Sequence, residues 1–402
     1  MKTVFLFAIA ILFYVNGRAQ SDAEMANPKA VKAKEPNGKP TKEGENKNIS
    51  ADFIIEKSIA ATSVKNQAIT NTCWSFSTIS LLESQYLKNN GGEIDLSEMF
   101  TVRSTYLEKA KNYILRQGHT QFGEGGLGHD VIQTTAKYGA IPEAIYSGLK
   151  AGSSQHNHVK LISALKGYLD SIIKLKPVPD NWMKGYKNIL DVELGAAPES
   201  FNYNGIVYSP KTFAAELLKF NADDYINITS FTHHEYYQPF VLEVPDNFSN
   251  GMYYNLPLEE MIELTKDALN KGYSVLWDAD VSNDGFMQKL GSAVDFGNIP
   301  GGLKTKNDLI NGEVKEGKAT TERRQALFEN LTTQDDHLMH ITGLAKSKTG
   351  NTFFVVKNSW GDVGPHHGYI NVSEAYFGIN TISLVLPKAA LNKTMLQKLK
   401  IK

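Results

Sequence analysis

The 402-residue chain sets 42 Lys and Arg against 43 Asp and Glu, a formal net charge of −1, so no bulk attraction to nucleic acid or to an anionic membrane is expected. Its composition, 42% hydrophobic and 21% charged, is that of a globular protein with room for two domains or one large domain with insertions. One cysteine among all these residues excludes a disulfide within the chain.

Met1 to Ala19 has the three parts of a secretory signal: Lys2, an apolar run from Val4 to Val15, and small residues at Gly17-Arg18-Ala19, which place cleavage near Ala19. The run is short for a membrane span, and no later stretch is apolar enough to be one. Export is expected, to a periplasm or beyond the cell. Residues 20–50, rich in Lys, Glu, Pro, Gly and Asn, read as a disordered leader.

Residues 51–150 form a helical half. Asn71 and Thr72 are capping residue types ahead of Cys73, and Phe76, Ile79, Leu82, Tyr86 and Leu87 recur at helical spacing until Gly91-Gly92. A thiol in the first turn of a helix sits where unpaired N–H groups and the dipole favour an anion, which lowers its pKa toward the reactive range. Gln67, in the loop upstream, offers an amide donor, and a nucleophile beside such a donor suits acyl transfer. The alternative is a buried thiol packed in a helix. A second helix starts at Ser97. Gly123, Gly125, Gly126 and Gly128 then let a backbone approach closely, as the wall of a cleft that binds an extended peptide or as a plain turn. A helix from Asp130 to Tyr138 follows.

Residues 151–270 read as a mainly helical insertion, with helices over Val159 to Ile173, after Ser209-Pro210, and after Leu256-Pro257. Phe240 to Val244 has strand character. His156, His158, His233, His234, His366 and His367 fit no metal-ligand spacing, so no metal and no cofactor are expected. Asp278 and Asp280 alternate on a strand, as at a solvated edge, and residues 283–317 read as a surface excursion.

Residues 271–387 change to strands, with a hairpin of His337 to Lys346 and Thr352 to Val356, and 388–402 are a lysine-rich tail. An imidazole at His337 facing the thiol would serve as base and then as acid, oriented by the amide of Asn358. His340 is the rival base and is expected on the opposite face from His337.

Together Val64-Lys65-Asn66-Gln67, Cys73-Trp74-Ser75-Phe76, Gly125-Gly126, Asp336-His337 and Asn358-Ser359-Trp360-Gly361 with Gly368-Tyr369-Ile370 resemble the papain-like cysteine peptidases. The resemblance implies an α+β fold, a helical half and an antiparallel sheet half with the catalytic cleft between them. It implies Cys73 as nucleophile, His337 as base and acid, Asn358 as orienter, and Gln67 with the Cys73 backbone N–H as oxyanion donors. It also implies that Gly125 and Gly126 line the cleft and that Trp360 shields the Asn358–His337 contact. Thr70 replaces the second cysteine of secreted papain-type enzymes, the leader is too short for their helical pro-domain, and Cys73 and His337 lie much farther apart than the roughly 130–150 residues of the papain pattern. These departures resemble the bleomycin hydrolase or aminopeptidase C branch. That branch implies a hexameric ring whose carboxyl-terminal arm enters the cleft, although residues 388–402 offer no residue match to such an arm. The expected activity is hydrolysis of peptides, as an aminopeptidase. An open-cleft endopeptidase and an inactive peptide-binding homologue are the alternatives.

Overall fold

A computed structural model describes residues 53–297 and 315–401; the signal and leader lie outside the described residues, as does 298–314 of the excursion. Strand β1 (Ile54–Ser58) leads into helices α1 (Cys73–Asn90), α2 (Glu98–Leu115), α3 (Gly128–Tyr138), α4 (Val159–Ile172) and α5 (Trp182–Leu194). There follow β2 (Phe201–Tyr203), β3 (Ile206–Tyr208), β4 (Tyr225–Thr229), β5 (Pro239–Val241), β6 (Met252–Asn255) and α6 (Leu258–Asn270). The remainder is β7 (Val275–Ala279), β8 (Phe286–Met287), β9 (Ser292–Ala293), α7 (Thr321–Glu329), β10 (His337–Lys346), β11 (Thr352–Lys357), β12 (Tyr369–Ser373), α8 (Glu374–Asn380), β13 (Thr381–Pro387) and α9 (Lys393–Lys398).

One sheet runs in the order β5-β6-β4-β13-β7-β10-β11-β12-β9-β8. β10 is long enough to serve two neighbours along one edge: His337 to Ile341 pair with β7, and Gly343 to Lys346 pair with β1. Side-chain alternation then sorts the strands between two cores. Leu276, Leu338 and Val385 join the core beneath α1 to α5, while Trp277, Met339, Ile341 and Leu384 join the core beneath α6 and α8.

α1 is buried on every side from Cys73 to Ser84, which apolar periodicity alone does not explain. The explanation is its small hydroxyl side chains, which let neighbours approach while bonding to them. Ser75 Oγ donates to Glu98 O (2.9 Å), Ser77 Oγ to Leu338 O (2.6 Å) and Ser84 Oγ to Ala60 O (2.6 Å). The helix ends as read, on Gly91 at φ 71°, whose N–H returns to Leu87 O.

Several expectations are corrected. Neither capping residue type caps α1 through its side chain: Thr72 Oγ1 lies 2.6 Å from Thr70 Oγ1 instead, and Asn71 Oδ1 is buried without a partner. The sheet is not wholly antiparallel, because β4–β6 and β12–β9 pair in parallel. The insertion contributes helices and also β4, β5 and β6, which extend that sheet past β13. Within the excursion, β8 and β9 pair with each other and β9 with β12, burying Ser292 to Asp295. Asp278 and Asp280 are buried at 1% and 5% exposure, since β13 and β10 flank β7 on both edges.

The tail lies on the α6 side of the sheet. Met395 and Leu399 enter the core with Leu256 and Met261, Lys271 Nζ donates to Ala390 O, and Lys398 pairs with Glu260 at 2.8 Å. No helix among the described residues is long and apolar enough to cross a membrane.

Candidate active site

α1 and β10 run side by side in the same direction, so their first residues share one end of the contact. Ser77, one turn along from Cys73, donates to the carbonyl of Leu338, the residue after His337. Farther in, Ser80 Oγ meets His340 Nδ1 at 2.9 Å. Cys73, buried at 3% exposure, thus sits at the N-terminal end of α1, beside the start of β10 that carries His337.

A chain of amide bonds sets the protonation of His337. Gln288 Nε2 donates to Val363 O and Tyr369 O, both at 3.3 Å, which leaves Gln288 Oε1 to accept from Asn358 Nδ2 at 3.0 Å. Asn358 Oδ1 in turn accepts from the backbone N–H of Ser359 and lies 2.7 Å from His337 Nε2. A carbonyl oxygen facing Nε2 requires the ring proton there. Nδ1 therefore carries the lone pair, and it has no hydrogen-bond partner among the described residues. Burial holds this imidazole below its ordinary pKa, against the hydrogen bond to Asn358 and the charge of Asp336, so it is poised as a neutral base. Trp360 covers the ring, with centroids 4.6 Å and planes 30° apart.

His340 faces α1, where Ser80 lies about two turns, or roughly 10 Å, beyond Cys73. Burial and the neighbouring Lys357 charge push it well below the imidazole range. It is a core residue on the opposite side of the strand from Trp360.

Gln67 is fully buried and pinned at both ends of its amide: Oε1 accepts from Ser359 Oγ at 2.7 Å, and Nε2 donates to Thr70 O at 2.7 Å. One Nε2 hydrogen serves Thr70, and the amide has a second. Across from it, the glycine loop is tied to the start of α1. Trp74 Nε1 donates to Glu124 O, Asn71 N–H to Glu124 Oε2, and Lys109 Nζ to the carbonyls of Gly123 and Gly125. A Cβ on Gly126 would lie 3.1 Å from the Trp74 ring, and one on Gly125 would lie 1.8 Å from Asp246 Oδ2. Gly125 and Gly126 are thus crowded by Asp246 and Trp74, whereas a Cβ on Gly123 would meet nothing within 4 Å.

Two family models divide the chain: the Peptidase C1-like family matches residues 182–402, and the papain family cysteine protease matches residues 50–168. The chain belongs to the Peptidase C1-like family. Its relatives include aminopeptidase G of Lactobacillus delbrueckii subsp. lactis, 22% identical over 85% of this chain and 84% of that one. Aminopeptidase C of Streptococcus thermophilus is 22% identical over 84% and 83%. The bleomycin hydrolase of Mus musculus is 22% identical over 81% and 80%. Among solved structures, PepW from Lactobacillus rhamnosis superposes with a TM-score of 0.68 at 20% identity, covering 88% of this chain and 85% of that one, a likeness of fold.

This C1-like peptidase holds functional side chains that sequence reasoning did not find. Gln288 falls in the stretch read as a surface excursion, and Ser359 was noted only as part of a motif. Each shows its role only once β8, β11 and β12 are assembled. Of the histidines weighed as metal ligands, His233 and His234 come together with Glu243, their ligand atoms within 4.8 Å of one another. Gln325 Oε1 accepts from Thr232 N–H, so its Nε2 donates to His233 Nδ1 at 2.9 Å. The proton of His233 then sits on Nε2, facing Glu243 Oε2 at 3.3 Å.

Proposed function

We propose that this peptidase is an aminopeptidase that releases N-terminal residues from peptides through a thioester acyl-enzyme. The observation that carries the reading is the His337 ring: its Nε2–H is committed to Asn358, and its Nδ1 is left as a base at the end of the helix that starts with Cys73. The exopeptidase mode is supported by relatives named aminopeptidase G and aminopeptidase C that match more than four-fifths of the chain.

In this reading Nδ1 takes the proton of the Cys73 thiol as sulfur attacks the scissile carbonyl carbon. The negative charge that forms on the carbonyl oxygen meets the second Nε2 hydrogen of Gln67 and the first-turn N–H groups of α1. As the tetrahedral species collapses, His337 returns the proton to the departing amine nitrogen, leaving a thioester. Water, deprotonated by the same nitrogen, then releases the acyl group and the thiol. Asn358 keeps the ring in the tautomer and orientation that both steps use, Trp360 covers that contact, and Gly125 and Gly126 line the path of the peptide.

Incubation with free and amino-blocked peptides tests the assignment. Stepwise release of N-terminal residues from free peptides alone is expected, with Cys73→Ala abolishing turnover and leaving the fold intact. Cleavage of blocked peptides only would replace the aminopeptidase by an endopeptidase, and activity retained in Cys73→Ala would remove the nucleophile. The proposal includes export directed by residues 1–19, checked by amino-terminal sequencing of the mature protein, and assembly into a homo-oligomer, read by light scattering.

A further inference from the structure

A cavity of about 340 Å³ opens around the start of α4, walled from the 148–161 stretch and by Glu193 and Leu194 at the end of α5. No residue of the catalytic cleft lines it. Its wall is rich in donors: Lys150, Lys160, His156 and His158 stand there against one acid, Glu193. That acid is already spent, since Lys150 Nζ donates to both of its oxygens at 2.9 Å. The helix end adds donors of its own. Val159 N–H reaches Asn157 Oδ1 at 3.2 Å, but His158 offers no side-chain cap and no acid stands in the first turn. The N–H groups of Lys160 and Leu161 are left without an acceptor among the described residues, at the positive end of a 14-residue helix.

A second observation, on a side chain, points the same way. His158 is 2% exposed, and burial, with His156 beside it, holds its imidazole down at about 3, so the ring is neutral and carries one proton. Burial also keeps the proton on the Tyr106 hydroxyl, well above the ordinary phenol value. That hydroxyl lies 3.4 Å from His158 Nδ1 and has no other acceptor among the described residues, so it donates there. The ring proton is therefore on Nε2, and Nε2 is buried with no partner. Nδ1 is turned to α2, none of whose residues line the cavity, which leaves Nε2, on the diverging edge of the ring, for the cavity side. A buried N–H without an acceptor is costly, and here it adjoins two more at the helix end.

We propose that this cavity binds a small oxyanion, a carboxylate or a phosphate, which accepts from His158 Nε2–H and from the N–H groups of Lys160 and Leu161. What the wall lacks is acceptors, and an oxyanion brings several lone pairs together with the charge that the helix end and Lys160 favour. The volume is at the small end of the range for organic ligands, so it holds the anion with a short group attached. The site also adjoins the catalytic machinery. Ile69 N–H donates to His156 O and His158 N–H to Ile69 O, both at 3.1 Å, and the next residue, Thr70, supplies the carbonyl that fixes Gln67 Nε2. The cavity floor is thus one bonded pair away from the loop that holds the oxyanion donor.

The experiment titrates the full chain, labelled with ¹⁵N-histidine, with inorganic phosphate, with acetate, and with acetamide, which has the shape of acetate without its charge. The His158 Nε2–H resonance should move saturably with phosphate, with acetate, or with both, and stay in place with acetamide. Movement with phosphate alone assigns the site to a phosphate, with acetate alone to a carboxylate, and either supports it. By calorimetry, His158→Phe, which keeps a ring and removes the donor, should bind roughly tenfold more weakly, the scale of one charge-assisted hydrogen bond. Lys160→Gln should weaken binding by roughly two- to fivefold, the scale of an exposed charge. A resonance unmoved by both anions, equal movement with acetamide, or unchanged affinity in a folded His158→Phe overturns the proposal. Where His158→Phe does not fold, the resonance of the unaltered chain decides alone. The measurement needs no turnover, so it stands or falls apart from the aminopeptidase reading.

Discussion

The imidazole of His337 and the indole of Trp360 lie 4.6 Å apart with their planes 30° from parallel, and the Nε2 edge of the same imidazole bonds to Asn358 at 2.7 Å. Both partners of that bond are buried, and removing the indole that packs on the ring would let water compete for the ring N–H and the amide oxygen. Trp360→Ala is therefore expected to lower kcat/KM by about 10–100-fold, the range for exposing and loosening one buried hydrogen bond. Trp360→Phe should recover part of the loss. Steady-state kinetics on one peptide substrate checks both.

Gln288 accepts from Asn358 Nδ2 at 3.0 Å, one residue removed from the His337 ring. Gln288→Ala should lower kcat with little change in KM, because it frees the Asn358 amide to turn. Asn358→Ala should cost about 10–100-fold, and the double variant little more than Asn358→Ala alone, since both remove the same orientation. Additive losses in the double-mutant cycle would show that Gln288 acts by another route.

Gly125 leaves no room for a methyl group, because its Cβ would fall 1.8 Å from a carboxylate oxygen of Asp246. Gly125→Ala should destabilise the fold by about 1–3 kcal/mol, the usual scale for overpacking, and should impair substrate binding. Gly126→Ala meets the rigid Trp74 ring at 3.1 Å and is expected to cost less. Denaturant titration and KM values of the two variants rank them.

Asp278 couples stability to pH. Its folded-state value, pushed up to about 7 by burial, stands above the 3.8 of an unperturbed Asp. The folded chain thus keeps a proton that the unfolded chain gives up near pH 4. That contribution is complete below the unfolded value and is lost as the pH rises through the folded one, so stability falls between about pH 4 and pH 7. Glu143, also raised to about 7, acts in the same direction, so the informative quantity is a difference of slopes. The melting temperature of Asp278→Asn should fall less steeply across that window than that of the unaltered chain.

Much of the site is legible before folding. The Cys73 helix, the Ser97 cap, the β10–β11 hairpin and the spacing of His337 and Asn358 all follow from local pattern, because caps, turns and periodicity are short-range properties. Gln67 and the glycines at 125 and 126 are legible from residue type and position and Trp360 from a resemblance of motifs, and in the structure Gln67 bonds to Ser359, Gly126 packs on Trp74 and Trp360 on His337. Gln288 escaped notice because the polar, glycine-containing stretch around it resembles a loop until β9 pairs with β12.

The sequence by itself determined which reactive side chains are present, which elements carry them, and that a lone cysteine opens a helix. Only the tertiary structure decided that His337 rather than His340 stands at the end of α1 that carries Cys73, since strand register and helix position are long-range facts. It also decided that Asp278 is buried rather than solvated. An alternating strand reads the same at an edge and in the middle of a sheet, and its neighbours β13 and β10 come from far along the chain.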